Sequence, residues 1–338
     1  MNEIKLPRPT HIANWDTCPR LFRYRKDGWT PRTITKDGIK PLIGAAAAFG
    51  MEAWHKTHHL DKAVTYGKLY FNKVVHHYTN HGCSFNLPNG YSYYRDLVKT
   101  AIRLGTTCEL FNDWTNINAE VFVDGVEGAR VDILGQDRWG VWSIADYKVT
   151  MPYKPLTSYD VDKRFDSYLY GHQSGLYTAC NFKVKVDDTE RVVLPERFYI
   201  VLIELPNTIY WRYREISPED RENWLRSARV KVTRMNEDET TPIRSLPMNE
   251  YHTDPFGRPC EMFEGCIRRN GLEDSWHDIM VKVPWFELTY DQLPETGRTG
   301  SDIDEYSNIS EYVRMTVPST DHLRALYDGH THRRGSRQ

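Results

Sequence analysis

The hydrophobic pattern of this 338-residue chain changes period sharply near residue 119, and that change constrains the fold more than any other feature. Before it, apolar residues recur at helical spacing. Ile12, Trp15, Cys18, Leu21 and Phe22 share one face of a helix predicted from Thr10 to about Tyr24. "GAAAAFGMEAWHKTHHL" starts a second helix near Gly44, and two more are expected over 61–77 and 93–114. From residue 119, "AEVFVDGVEGARVDILGQDRWGVWSIADYKVT" sets β-branched and aromatic residues in short runs broken by Gly and Asp. That is the signature of a strand meander, with "GQDRWG" as the turn between its last two strands. Helical spacing returns in "DKRFDSYLYGHQSGLYTAC", and "ERFYIVLIELPNTIYWRYREI" reads as a strand pair turned at Pro206 and Asn207. In "SPEDRENWLRSARVKVTRM", Ser217, Pro218 and Asp220 mark a capped helix start. The expected fold class is α/β, a mixed central sheet flanked by helices, with no internal repeat and no long linker.

The meander ends on "IADYKVT". Strand side chains alternate faces, so Asp146 and Lys148 point the same way, on the side of Trp142 and Ile144. A salt bridge at a strand end is the plain reading of such a pair, but three features favour a site. Asp132, in "GARVDIL" one strand upstream, is a carboxylate between Val131 and Ile133, at home there as an edge residue or a ligand. With Asp146 it offers two hard oxygen donors, the set that magnesium or manganese selects. A lysine beside such a cation can orient an attacking water or stabilise charge developing on a phosphate. Gln173 and Tyr177 lie four residues apart on the following helix, hence on one face. His55, on an early helix, can complete a metal shell, although a lone histidine is more often a surface or packing residue. A turn centred on Asp137 and Arg138 sets Asp132 opposite Ser143, so twist or a bulge is expected to bring Asp146 closer.

Bulk properties exclude several classes. With 44 basic and 46 acidic residues the net charge is -2, which gives no global attraction to nucleic acid; any such binding needs a local basic surface. No apolar run approaches the roughly 20 residues needed to span a bilayer, and "MNEIKLPRPT" lacks the apolar core of a signal peptide. A cytoplasmic protein without a membrane partner is expected. Six cysteines are too few for a secreted disulfide scaffold and read as thiols or metal ligands.

Taken in chain order, His55, Asp132 in "GARVDI", Asp146-Tyr147-Lys148, then Gln173 and Tyr177 form a recognisable set. Over about Gly44 to Cys180 the chain resembles the RecB-like branch of the PD-(D/E)XK nuclease superfamily, particularly phage-encoded exonucleases and the related CRISPR-adaptation nucleases. The resemblance implies a restriction-endonuclease-like fold and a magnesium or manganese ion held by His55, Asp132, Asp146 and the carbonyl of Tyr147. It implies that Lys148 assists the water, and that Gln173 and Tyr177 support the site and contact the DNA backbone. Glu120, in "NAEVF", stands where many members carry an acid on the first strand, and is an extra ligand or a solvated strand residue. Two departures stand out. Met51 occupies the place of the family's glycine four before the histidine, Gly50 being five before, which leaves His58 or His59 as alternative ligands. The motif's last acid is Asp rather than the commoner Glu, which shortens its reach.

Members of the family often clasp their chain ends with an iron-sulfur cluster. "WDTCPRLFRYR" is similar to their N-terminal segment at Cys18, and "HTDPFGRPCEMFEGC" supplies Cys260 and Cys266, with His252 near the place of the remaining cysteine. The resemblance therefore implies a clasp of three thiolates and an imidazole holding an iron-sulfur cluster or, alternatively, zinc. Degeneration of the clasp into ordinary packing is the alternative. Cys83, Cys108 and Cys180 have no partner pattern and read as buried or unreactive thiols.

In "CPRLFRYRK", Arg20, Arg23, Arg25 and Lys26 are interleaved with Phe22 and Tyr24, a basic and aromatic segment suited to DNA or simply a solvated face. The domain reading is 1–43 as an N-terminal helix with a cysteine ligand and basic loop, 44–271 as the nuclease core with the C-terminal cysteine pair, and 272–338 as an extension with a flexible basic end. The function expected from the resemblance is a metal-dependent deoxyribonuclease, an exonuclease in phage recombination or genome processing. DNA with a free end is its partner, together with a recombination or single-strand-binding protein. A catalytically silent DNA-binding accessory protein on the same fold is the alternative.

Overall fold

A five-stranded sheet begins where the sequence changes period. The structure, a computed structural model, describes residues 6–187, 189–248, 260–262, 266 and 276–288. The chain enters through two short helices, α1 (Pro9–Thr17) and α2 (Pro19–Lys26), then β1 (Trp29–Pro31) and β2 (Thr33–Ile34). Three longer helices follow, α3 (Lys40–Thr57), α4 (Leu60–Asn80) and α5 (Gly90–Thr106), with β3 (Ser84–Phe85) before the last. The meander is β4 (Thr115–Phe122), β5 (Arg130–Gln136) and β6 (Trp142–Thr150). After α6 (Ser158–Leu169) and α7 (His172–Ala179) come a hairpin, β7 (Phe182–Val186) and β8 (Thr189–Val193), and the strand pair β9 (Arg197–Glu204) and β10 (Thr208–Glu215). Then come α8 (Pro218–Thr240) and β11 (Met280–Lys282).

The sheet runs in the order β10-β9-β6-β5-β4 and is mixed, because β6 and β9 are parallel while their other neighbours are antiparallel. Its strand β9, "RFYIVLIE", is apolar almost without interruption, as burial on both faces requires. Phe198, Ile200 and Leu202 face one core with Ile144, Leu134, Phe165 and Leu176. Tyr199, Val201 and Ile203 face the other, with Ile43, Phe71, Val98 and Ile102 from α3, α4 and α5. Gly50 sets how closely α3 and α4 approach, since a Cβ there would stand 2.8 Å from the Ala63 carbonyl oxygen. That packing duty accounts for its place five residues before His55. A third, smaller core joins the N-terminal helices to later segments near 260 and 280: Cys18, Leu21, Tyr24 and Trp29 pack with Met262, Cys266, Trp276 and Met280. Strand β11 pairs antiparallel with β1, so part of the expected extension is tied to the N-terminal segment. Among the described residues no helix is long and apolar enough to cross a membrane.

The structure corrects several local expectations. The helix predicted over Thr10 to Tyr24 is broken at Cys18, which is extended at φ -165° and ψ 110°. Pro19 forces this, because the residue before proline is disfavoured in helical geometry while proline itself suits a new first turn. The single helix expected in "DKRFDSYLYGHQSGLYTAC" is two, divided at Gly171. The hairpin of β7 and β8 is an addition to the expected strands. The turn between β5 and β6 is centred on Trp139, since Gln136 pairs with Trp142, and not on Asp137 and Arg138. The buried Asp137 closes it by accepting bonds from the Trp139 and Val141 N–H groups at 3.0 and 3.2 Å. The helix start at Ser217 carries the expected capping box with Asp220.

Candidate active site

That turn sets the register on which the site depends. Ile133 pairs with Ala145, so one step further Asp132 stands across from Asp146, with no bulge needed. On the other side of β5, Ala119 pairs with Ile133 and Val121 with Val131, which places Glu120 across from Asp132. Three carboxylates thus occupy one row across three adjacent strands. Glu120 adopts φ +52°, a left-handed conformation costly for a residue with a side chain and found where surroundings impose it.

Asp146 is 2% exposed. Gln173 Nε2, from the first turn of α7, donates to its Oδ1 at 2.6 Å, and Lys148 forms an ion pair with its Oδ2. Lys148 Nζ also donates to Gln173 Oε1 at 2.8 Å. Acid, lysine and amide therefore form a closed triangle, each fixing the other two. Asp132 Oδ2 accepts the Tyr147 N–H at 2.7 Å. Helix α7 is pressed against α8 at Gly175, where a Cβ would overlap the indole of Trp224. This glycine, midway between Gln173 and Tyr177, lets the motif helix dock.

Burial and the negative charge of Asp146 push Asp132 up to about 7. Burial likewise pushes Glu120 well above the carboxylate range, helped by Asp132 and Glu52. Burial opposes the charge on Lys148, but Asp146 and Asp132 outweigh it and raise its pKa, so it remains an ammonium. Burial and the two aspartates push the Tyr177 hydroxyl up, keeping it protonated. Two facing acids share one lysine, which leaves the row short of positive charge.

His55 is not brought to this row. Its Nε2 lies 2.9 Å from the Tyr147 hydroxyl and its ring packs on Phe111, on the face of β6 opposite Asp146 and Lys148. Burial and the neighbouring His58 lower it to about 4, so it is neutral. His58 and His59 are exposed between α3 and α4. The residue of α3 that joins the acids is Glu52, 5% exposed and paired with Lys56 at 2.6 Å. Its charge contributes to raising both Asp132 and Glu120. Sequence reasoning missed it, although a single acid among Ala46, Ala47, Phe49, Met51 and Ala53, all buried, was a readable signal. Arg130, also missed, reaches Glu120 at 4.0 Å.

Asp132 and Asp146 meet the donor requirement of a hard divalent cation, and the raised Asp132 marks the place where one would relieve repulsion. Asp132 Oδ2 and Asp146 Oδ1 accept hydrogen bonds from protein donors, and among the described residues Asp146 Oδ2 is held only by the ion pair with Lys148. Among the described residues no three His, Cys, Asp or Glu groups converge as a metal-binding set.

Cys18 shares the small third core with Cys260 and Cys266, more than 240 residues later in sequence. Burial pushes Cys260 up to about 11, with the neighbouring Cys18 adding to it. Arg20 Nη1 lies 3.8 Å from Cys266 Sγ. His252 lies outside the described residues. Cys83, Cys108 and Cys180 are buried free thiols, raised by burial to about 11, 11 and 12.

The basic segment of α2 is used inside the protein. Arg23 Nη1 caps the end of α8 through the Asp238, Glu239 and Thr241 carbonyls, Arg25 binds Asn14 and Glu261, and Lys26 pairs with Glu239. Leu21, Phe22 and Tyr24 are buried. The segment therefore joins α2 to the carbonyl end of α8, where cations are favoured. The basic residues after 288 lie outside the described residues.

No family model matches this chain, and no curated protein matches it. Among solved structures the chain is similar to SSO0001 at 16% identity, over 60% of this chain and 76% of that one, with a TM-score of 0.22. A likeness at that level carries no argument.

Proposed function

We propose that this chain is a metal-dependent deoxyribonuclease on a restriction-endonuclease-like arrangement of its mixed sheet, acting as an exonuclease. The observation that carries the reading is the register that sets Asp132 across from Asp146, with Lys148 tied to Asp146 and Gln173. Asp132 and Asp146 would hold magnesium or manganese, with the carbonyl of Tyr147 between Asp146 and Lys148 in sequence. When bound, such a cation supplies charge for a phosphodiester oxygen and lowers the pKa of water.

The protein's own residues supply the rest. Lys148, kept protonated by two aspartates, offers a fixed positive charge to the attacked phosphate instead of acting as a base. Gln173 holds Lys148 and Asp146 at a set separation, so that neither reorganises when a strand arrives. Tyr177, buried and protonated, walls the site on the α7 side. Glu120 within the row and Glu52 beside it are balanced by Arg130 and Lys56. The same reading assigns Cys18, Cys260 and Cys266 to a clasp between the chain ends, with an iron-sulfur cluster ahead of zinc. It assigns DNA with a free end as the partner, and a recombination or genome-processing role.

Lys148→Ala tests the reading. The variant should fold and bind linear DNA like the parent, while manganese-dependent cleavage falls by about 100-fold or more. Cleavage at the parent rate would contradict the assignment of the row.

A further inference from the structure

Beside the acid row the surface carries two large rings that the fold does not use. Phe122 ends β4 and is 62% exposed, and Trp285 lies on the segment after β11 and is 74% exposed. Each carries a cation at stacking distance. Arg130 Cζ lies 4.4 Å from the centroid of Phe122, and Arg8 Cζ lies 4.4 Å from the Trp285 ring. Both sites lie at the β4-β5 connection. Phe122 pairs with Arg130, Arg8 Nε donates to the Glu127 carbonyl at 3.3 Å, and Glu287, two residues beyond Trp285, forms an ion pair with Arg130. Phe122 is two residues from Glu120 and Arg130 two from Asp132, so this surface begins about 7 Å from the acid row, the rise of roughly two stacked nucleotides.

We propose that Phe122 and Trp285, with Arg130 and Arg8, form a stacking platform for the unpaired bases of a DNA strand entering the acid row. This deepens the nuclease reading and rests on it, making the substrate a single strand or a frayed end. An aromatic face exposed to water beside a guanidinium suits a base whose own face is free, and bases inside a duplex have no free face. The arginines supply charge for the phosphates between successive bases. Glu287 holds Arg130 in the place a phosphate would take, so an arriving strand exchanges one anion for another.

The test uses the full chain in EDTA, with a fluorescent oligothymidylate and a blunt duplex as probes read by anisotropy. Phe122→Ala and Trp285→Ala should each weaken single-strand binding by about 10-fold and leave the duplex unchanged. Phe122→Tyr should restore it, and Glu287→Gln should tighten it. Both rings are exposed, so unchanged melting temperatures are expected for the three ring variants. Alanine variants that bind the single strand as tightly as the parent, or that lose duplex binding equally, would overturn the platform. Cleavage by the parent with manganese is read alongside. A chain that cuts DNA with no effect from the rings loses the platform alone; one with ring-dependent binding that cuts nothing keeps the platform and loses the nuclease reading.

Discussion

Asp132 stands across from Asp146 on neighbouring antiparallel strands, one step beyond the Ile133 and Ala145 pair. Two carboxylates in this position repel, and the rise of Asp132 to about 7 records the cost of that repulsion together with burial. Sites that hold charge in this way sacrifice stability for function. Asp132→Asn keeps an oxygen for the Tyr147 N–H and removes the repulsion, so the metal-free variant should gain about 1–2 kcal/mol and melt a few degrees higher than the parent. Manganese should raise the melting temperature of the parent and not of the variant. A metal-free variant less stable than the parent would show that Asp132 is a structural anchor.

Gln173 touches both Asp146 and Lys148. It acts through them, so Gln173→Ala should lower cleavage by about 10–100-fold in kcat with a small change in KM. Gln173→Glu is the sharper variant, because a second acid beside Asp146 should draw the lysine away and shift the pH profile. A pH profile and kcat unchanged in both variants would make the triangle incidental.

Asp137 anchors the turn that fixes the register. Burial opposes its charge, but Arg197, the Trp139 and Val141 N–H groups and the Tyr199 hydroxyl outweigh burial and hold it below the usual carboxylate range. A carboxylate with a depressed folded pKa stabilises above its unfolded value of about 3.9, and that contribution is lost as pH falls through the lower folded value. Asp137→Asn should therefore lose about 2–4 kcal/mol at neutral pH and show a shallower fall of stability in acid. Urea midpoints from pH 5 downward measure this, and parallel curves for variant and parent would contradict it.

Cys18, Cys260 and Cys266 share the small core between α2 and the segment near residue 260. Protein purified without oxygen should carry iron and absorb in the visible region, and Cys18→Ser should lose both together with several degrees of thermal stability. Zinc in place of iron would change the metal and keep the clasp. Metal-free protein as stable as its Cys18→Ser variant would leave ordinary packing as their role.

Much of this arrangement is legible in the amino-acid order itself. The unbroken apolar run from Phe198 to Ile203 marks a strand buried on both faces, and the Asp146 and Lys148 spacing alone puts both on one side. The break at Cys18 is readable from Pro19, but the helical periodicity that runs through it masks the signal. Register is not readable, because Asp137 closes its turn through the main chain at Trp139 and Val141, and a shift in the turn moves the partner of Asp132 from Ser143 to Asp146. Nor is the fate of the basic residues in α2, which depends on where α8 ends some 215 residues later. Nor is the direction of the His55 ring, which turns to Tyr147, while the neighbouring turn of α3 presents Glu52 to the acids.

Whether Asp132 and Asp146 form a nuclease site is decided by cleavage of end-labelled linear DNA, single- and double-stranded, beside a closed circular control, by the parent and Asp146→Asn in manganese, magnesium or EDTA. The parent should degrade linear DNA with either metal and none in EDTA, and Asp146→Asn should degrade none. Linear DNA left intact by a parent that binds it, or cut equally by the variant, would contradict that assignment.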